Sequence, residues 1–345
     1  MTDKMTYRWL WNCLIAGGLL MLSGCADNNE DLPQPEGNSQ LELRAVTRTD
    51  GAANYAGNQN IRIFLTTSTD RGPGELEFVY SATGWSSNIS VKEERQYYIY
   101  GYMPSSITGN VSVEGEGLNN DYSNGVDLTL SGMPAITSND ICVIVGVQRV
   151  TSTTGSETPN DTIGNYGYRS GIKGQNAVNL LMAHLYSGLE LKFMIGEEYS
   201  KLRSIRLNEV TLNCTYPTVN AIVNIRKGQG LGTPDFTSGS GNSVQTAVMF
   251  SDVKKLETVA DVITTDMAYC APILSDGTTL TITSKYDVYD KSNNMLASRE
   301  SSNKVQIAAS ALKPGQKNTL TLTVKPTYLY ILSDDDLDTP TITVN

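Results

Sequence analysis

The run Leu22-Ser23-Gly24-Cys25 carries the clearest chemistry in the sequence. Two small residues ahead of a cysteine let a signal peptidase reach the backbone, and the cysteine that becomes the new N-terminus carries lipid. A short basic start (Lys4, Arg8) and a mostly apolar stretch over residues 9–22 precede it. That stretch is interrupted by Asn12 and is shorter than the ~20 residues a membrane-spanning helix needs. Residues 1–24 therefore read as a lipoprotein signal peptide and Cys25 as a lipidation site, acylated by a palmitate-type chain. An ordinary cleaved signal with a chance cysteine is the alternative. In either case the rest of the chain is expected to work outside the inner membrane.

The other candidate groups make weaker cases. His184 is the one histidine, which rules out a His-based metal cluster and leaves no spare candidate for a Ser-His-Asp triad. It reads as a structural histidine. Residues 334–338 form an acidic run that resembles a calcium loop but lacks the glycine and distal glutamate of an EF-hand, so a solvated hinge is expected. Gly228-Gln229-Gly230-Leu231-Gly232 misses the dinucleotide spacing and has no parallel βαβ context. Tyr97, Tyr98, Tyr100 and Tyr102 suggest either a sugar-binding platform or, as favoured here, a strand with both faces partly covered. Cys142, Cys214 and Cys270 are an odd set beside strand-like runs and read as small buried hydrophobes. A Cys214–Cys270 bridge is the alternative, unsupported by spacing. No catalytic constellation, metal or cofactor is expected, and the chain reads as a non-enzyme.

The elements that must position these groups are strands. The 345 residues include 30 Gly and 18 Tyr, and apolar residues tend to alternate with polar ones, which favours β-sheet with one wet face. The net charge of −10 comes with no basic patch, so nucleic acid is excluded as a partner. Behind Cys25 an acidic, Pro-containing segment reads as a flexible tether. Leu41 and Leu43 then alternate with polar partners in a short strand, with Arg44 inside it and Arg48 just beyond. A first β-rich domain over 49–175 has strands near 61–65, 76–80, 89–91, 97–103, 126–130 and 141–150. Its last part, 151–174, is a polar loop or connector. A second domain over 176–326 has strands near 178–182, 189–195, 205–212, 221–225, 247–250, 269–274, 278–286 and 319–324. Helix is confined to single turns near 197–202 and 308–312. Short strands between turns point to an all-β chain with a sandwich in each half. Residues 327–345 look like an appended two-part strand, 328–332 and 341–344, around the acidic hinge.

Several segments, taken in order, resemble the fimbrillins, the subunits of the type V pili of Bacteroidetes. The lipobox comes first, with acidic residues behind Cys25 that resemble the surface-export signals of Bacteroidetes lipoproteins, and then the short strand ending near an arginine. Tyr97-Tyr98-Ile99-Tyr100-Gly101-Tyr102-Met103-Pro104 looks like the family's aromatic strand. Leu181-Met182-Ala183-His184-Leu185-Tyr186-Ser187-Gly188-Leu189-Glu190-Leu191 resembles the segment that opens its C-terminal domain. Leu312-Lys313-Pro314-Gly315-Gln316-Lys317-Asn318-Thr319-Leu320 resembles the turn into that domain's last strand.

The resemblance implies two transthyretin-like β-sandwich domains in tandem and assembly by donor-strand exchange after proteolysis. Residues 25–48 would be a lipidated tether and propeptide strand, cut after Arg48 (or Arg44) by an arginine-specific protease at the cell surface. The donor residues would be Tyr328, Tyr330, Ile342 and Val344 of a neighbouring subunit. The implied partners are other pilus subunits in a head-to-tail polymer, the outer membrane through the precursor's lipid, and a host or bacterial surface ligand not identified by sequence. A stalk role in a fimbrium supporting adhesion is expected. A tip or anchor subunit and a monomeric glycan-binding surface lipoprotein are the alternatives.

Overall fold

Residues 141–147 and 177–183 are almost uninterrupted apolar runs. Successive strand side chains point to opposite faces, so such runs have to be buried on both. The structure, a computed structural model, meets that requirement with a sheet covered on each side. It describes residues 37–48, 60–68, 74–81, 84–86, 90–107, 109–117, 119, 121–149, 163–171, 176–274, 277–308, 310–327 and 337–345. Ser39–Asn345 group into one unit.

The first strands in chain order are β1 (Asn38–Gln40), β2 (Glu42–Arg48), β3 (Ile61–Thr66), β4 (Gly74–Ser81), β5 (Gly84–Ser86), β6 (Ser90–Lys92), β7 (Gln96–Met103), β8 (Asn110–Glu116) and β9 (Asp121–Met133). There follow β10 (Ile136–Thr137), β11 (Cys142–Arg149), β12 (Gly167–Arg169), β13 (Ala177–His184), β14 (Ser187–Ile195), helix α1 (Glu197–Leu202), β15 (Ser204–Tyr216), β16 (Val219–Arg226) and β17 (Asp235–Ser238). The last are β18 (Ser243–Phe250), β19 (Lys254–Leu256), β20 (Val262–Thr264), β21 (Ala268–Cys270), β22 (Thr279–Tyr289), β23 (Met295–Gln306), β24 (Lys317–Lys325) and β25 (Thr341–Val344).

They build an all-β sandwich fold. An eight-stranded N-terminal sheet runs β2-β13-β11-β7-β3-β4-β5, with β12 also on β7. A four-stranded sheet, β17-β16-β9-β8, lies in the same hydrophobic cluster as one face of it, through Phe64, Tyr100, Tyr102, Val143 and Val145 on one side and Val113, Leu128, Leu130, Val223 and Ile225 on the other. The opposite face (Ile61, Ile63, Ile99, Ile144, Leu180, Met182) belongs to a second cluster closed by Leu41, Leu43, Phe78 and Val91. The C-terminal half pairs a six-stranded sheet, β10-β21-β14-β24-β25 with β20, and a five-stranded sheet, β18-β15-β22-β23 with β19.

The expected boundary at 175/176 is crossed by hydrogen-bonded pairing. β9 from the first half pairs with β16 from the second, from Met133↔Val219 to Gly125↔Arg226. β10 pairs with β21, and one hydrophobic cluster runs from Phe64 to Ile342. The physical reason is that β8 and β9 alone offer the N-terminal sheet too narrow a cover, and β16 and β17 widen it.

Most expected strands lie within observed ones. The tail of the expected 269–274 strand is instead a 3-10 turn, Pro272–Leu274, because proline has no amide to give a sheet. α1 occupies the expected 197–202. Around 308–312 the chain makes a turn closed by Ala311 N–H to Ala308 O, 3.1 Å. The expected loop 151–174 contains, in its described part, β12 on β7. β8 and β23 were not expected. β23 is nearly all polar and exposed, yet pairs with β22 along its length.

Gly125 makes the β9–β16 junction. Its φ is +145°, and a Cβ there would lie 2.2 Å from the Ile225 carbonyl oxygen. Gly125→Ala is expected to lose more than ~1 kcal/mol of stability through strain and strand separation, read as a lower urea midpoint.

Candidate functional site

β2 seats the segment expected to be removable. It lies at the edge of the N-terminal sheet, parallel to β13, from Glu42↔Ala177 to Arg48↔Met182. Leu41 and Leu43 are buried in the second hydrophobic cluster, so an alternation of two leucines suffices to fix which face turns inward. β5, the other end of the same sheet, also contacts β2. Arg44 falls where the register shifts between Val178 and Asn179, a bulge that turns its side chain outward. It is exposed and pairs with Glu42 at 2.9 Å. Arg48 ends the strand, and residues 49–59 beyond it lie outside the described residues, as do Cys25 and the whole signal segment. Cutting after Arg44 would require opening the β2–β13 ladder, whereas Arg48 borders it.

The C-terminal strand is held in cis. β25 extends the six-stranded sheet on its own β24, antiparallel, from Leu322↔Val344 to Lys325↔Thr341. Ile342 and Leu337 are buried in the main hydrophobic cluster, and Val344 packs against it half-exposed. A set of polar contacts fastens the segment. Tyr199 Oη donates to Leu337 O at 2.5 Å. Arg203 Nε meets Asp338 Oδ1 at 3.1 Å. Arg299 Nε reaches Asp338 O at 3.1 Å and Thr339 Oγ1 at 3.2 Å. Asn303 Nδ2 donates to Ile342 O. Burial raises the Tyr199 hydroxyl well above the ordinary tyrosine range, which keeps its proton available for donation. Asp338 is thus a partner of Arg203 rather than part of a free acidic run. Tyr328, Tyr330 and residues 333–336 lie outside the described residues.

The aromatic strand β7 serves the core. Tyr97 belongs to one hydrophobic cluster, Tyr100 and Tyr102 to the other, and Tyr98 is half-buried. Tyr100 Oη donates to Tyr122 O at 2.5 Å, tying the eight-stranded sheet to β9. The covered-strand alternative holds, and the sugar-platform alternative loses its surface. Cys142, Cys214 and Cys270 are all buried and in no disulfide, so the Cys214–Cys270 bridge does not form. Burial pushes the Cys214 thiol up to about 11 and the Cys270 thiol up to about 12, so both stay protonated and inert. Gly228 leads out of antiparallel β16 and donates its amide to Gly164 O at 2.9 Å, so the glycine loop packs against chain.

His184 has more company than the sequence suggested. Asp140 approaches its Nδ1 at 2.8 Å and Cys142 Sγ lies 3.6 Å from the same nitrogen. A catalytic relay would place thiol and carboxylate on opposite ring nitrogens, and here both sit on one. His184 and Gly315 also line a cleft of about 570 Å³ with Leu231, Thr233 and Pro314.

No known protein-family profile and no curated protein sequence matches the chain. Solved structures do. A fimbrial protein from Bacteroides vulgatus is 11% identical with a TM-score of 0.40, covering 89% of this chain and 97% of its own. A cell adhesion protein from Bacteroides fragilis is 9% identical with a TM-score of 0.43, covering 90% and 97%. The fimbrial anchor protein of Porphyromonas gingivalis is 8% identical with a TM-score of 0.30, covering 88% and 95%. Identities this low do not assign a family.

The structure therefore leaves the candidate residues at separate places. Leu41, Leu43 and Arg48 sit at one edge of the N-terminal sheet, and Ile342 and Val344 at an edge of a C-terminal one. The fastening by Arg203, Arg299 and Tyr199 had no sequence signal, because each partner lies far along the chain. Tyr199→Phe with Arg203→Ala is expected to speed amide hydrogen exchange of residues 337–345 at least ten-fold while the exchange of β14 is unchanged. Each lost hydrogen bond is worth about 0.5–1.5 kcal/mol, or up to ~3 kcal/mol when charged.

Proposed function

We propose that this chain is a subunit of a surface pilus of the fimbrillin type, delivered as a lipoprotein through Cys25 and assembled by exchange of edge strands. The observation that carries this reading is the seat of β2. A short strand, with Leu43 buried in it and Leu41 buried just ahead of it, closes the edge of a sheet whose other strands already pair with one another, and it ends at Arg48. Removing it after cleavage would expose the β13 edge and the apolar positions beside Leu41 and Leu43, a template for another strand. A neighbour's C-terminal segment would fill it by β-augmentation, with Ile342 and Val344 as pocket residues and, further back, Tyr328 and Tyr330. Such head-to-tail pairing does not close on itself and makes a filament. A stalk position follows from having both a seat and a donor. The partners are then further subunits, with the outer membrane holding the precursor at the cell surface and adhesion as the outcome.

The cis docking of β25 favours a second reading, a monomeric surface lipoprotein whose terminal strand belongs to its own domain. Against its glycan-binding form stands the burial of Tyr97, Tyr100 and Tyr102. In energy the two dockings differ. Two fully buried apolar side chains in cis are worth about 3–6 kcal/mol, and an insertion that buries four or five in a neighbour about 6–15 kcal/mol, both before ordering costs.

Two measurements decide. N-terminal sequencing of the abundant surface-exposed form is expected to begin at Thr49, and a lipidated Cys25 on that form would sink the stalk reading. Deleting residues 339–345 is expected to abolish polymer ladders on gels while leaving a folded monomer. Unchanged ladders would place the donor elsewhere.

A further inference from the structure

Among the described residues, the chain passes directly between the eight-stranded and six-stranded sheets twice, side by side. One passage runs from β10 to β11 and the other from β13 to β14. They are stitched by Leu185 N–H to Ile141 O at 2.7 Å and by Tyr186 Oη to Pro134 O at 2.8 Å. Between them sit Asp140, Cys142 and His184, whose carboxylate, sulfur and imidazole nitrogen all lie within 4.8 Å of one another. Asp140 is 2% and His184 9% exposed, and Cys142 is fully buried.

We propose that Asp140, Cys142 and His184 form a binding site for a single Zn²⁺ ion at this double passage. The donor set is the argument. One thiolate, one imidazole and one carboxylate together suit a borderline cation and do not suit Ca²⁺ or Mg²⁺, which take oxygen ligands. The spacing fits as well. Tetrahedral Zn–S and Zn–N bonds set sulfur and nitrogen about 3.6 Å apart, which is the Cys142 Sγ to His184 Nδ1 separation of 3.6 Å. The carboxylate, at 2.8 Å and 3.0 Å from Nδ1, needs to withdraw by about half an ångström to replace its hydrogen bond with a metal bond. Position on the sheets adds to this. Cys142 and His184 are directly opposite on antiparallel β11 and β13, so their side chains leave the same face. On binding, the Cys142 thiol gives a proton to solvent and the His184 ring takes the tautomer with its proton on Nε2, so the neutral imidazole binds through Nδ1 and the thiolate and carboxylate together neutralise the cation. The fourth position belongs to water, as in three-ligand zinc sites, and the cleft that His184 lines gives water a route. The ion would act as a clasp on the two passages, adding a metal tie to the backbone stitches.

The test uses the purified, reduced full chain. Titration with Zn²⁺ alone is expected to give one ion per chain, a raised thermal midpoint, and no response to Mg²⁺ or Ca²⁺. Substituting Co²⁺ is expected to produce a thiolate-to-cobalt charge-transfer band. Cys142→Ser should abolish that band, and His184→Gln should weaken Zn²⁺ binding at least ten-fold, with circular dichroism confirming that each variant is folded. Cys214→Ser should leave the band intact. Absence of saturable Zn²⁺ binding by the folded wild-type chain would overturn the proposal. So would a band that survives in Cys142→Ser, since it would move the metal to another thiol. If Cys142→Ser does not fold, His184→Gln alone decides, because unchanged affinity there contradicts the site.

Discussion

The double passage between sheets is the constraint on which the rest of the fold depends. A chain that left one sandwich and entered the next only once would give two beads on a string. Here the first half crosses at Ala135–Ile141, places β10 beside β21, and returns to lay β11 in the N-terminal sheet. The second half crosses at Leu185–Tyr186 and lays β14 beside the same β21. Each passage must bring its backbone polar groups through an apolar region, where an unmade hydrogen bond costs about 1–3 kcal/mol. They satisfy each other, and Gly315 N–H to Tyr186 O at 3.0 Å adds the approach to β24 to the same knot. The result is that β9 can extend its sheet with β16, and the main hydrophobic cluster continues from one half to the other.

Against this shared interior, the two edge strands at the chain's ends are lightly attached. β2 rests on Leu43 and its ladder with β13, with Leu41 and the β1–β6 pair just ahead of it, and β25 on Ile342, Leu337, its ladder with β24 and a set of side-chain tethers. Neither end contributes to the passages. Stability within a fold is uneven, and segments with few buried apolar contacts open at far lower cost than the core. The architecture thus sets a shared interior apart from two edge strands attached at its margins.

The strands were legible wherever burial imposes alternation or a continuous apolar run. β7, β11, β13, β14 and β24 all lie where their side chains say they should. β23 was invisible because none of its residues is fully buried and most are polar, so its place is set by backbone pairing with β22 and by the partly buried Ala297 and Val305 rather than by a clear alternation. β8 has just two buried positions, Val113 and Gly115. The pairing across the expected 175/176 boundary was hidden for a different reason. Composition marks 151–174 as a connector, yet pairing across β9 and β16 is a long-range event that no local pattern encodes. The same holds for Asp140 with His184 and Arg203 with Asp338, partners brought together by topology alone. Leu41, Leu43 and the terminal strand were readable because each is short, alternating and set apart by polar neighbours.

The parallel pairing of β2 with β13 also sets an order of events. Glu42 meets Ala177, so β2 waits for a partner made more than a hundred residues later. Contacts this distant in sequence carry a large loop-closure cost, and they form after the local hairpins of β3, β4 and β7 or of β8 and β9. β2 is therefore placed after those hairpins, as is β24, whose pairing with β14 spans a similar distance. The sheet that β2 joins is already continuous without it, since β13, β11, β7, β3, β4 and β5 pair with one another in turn.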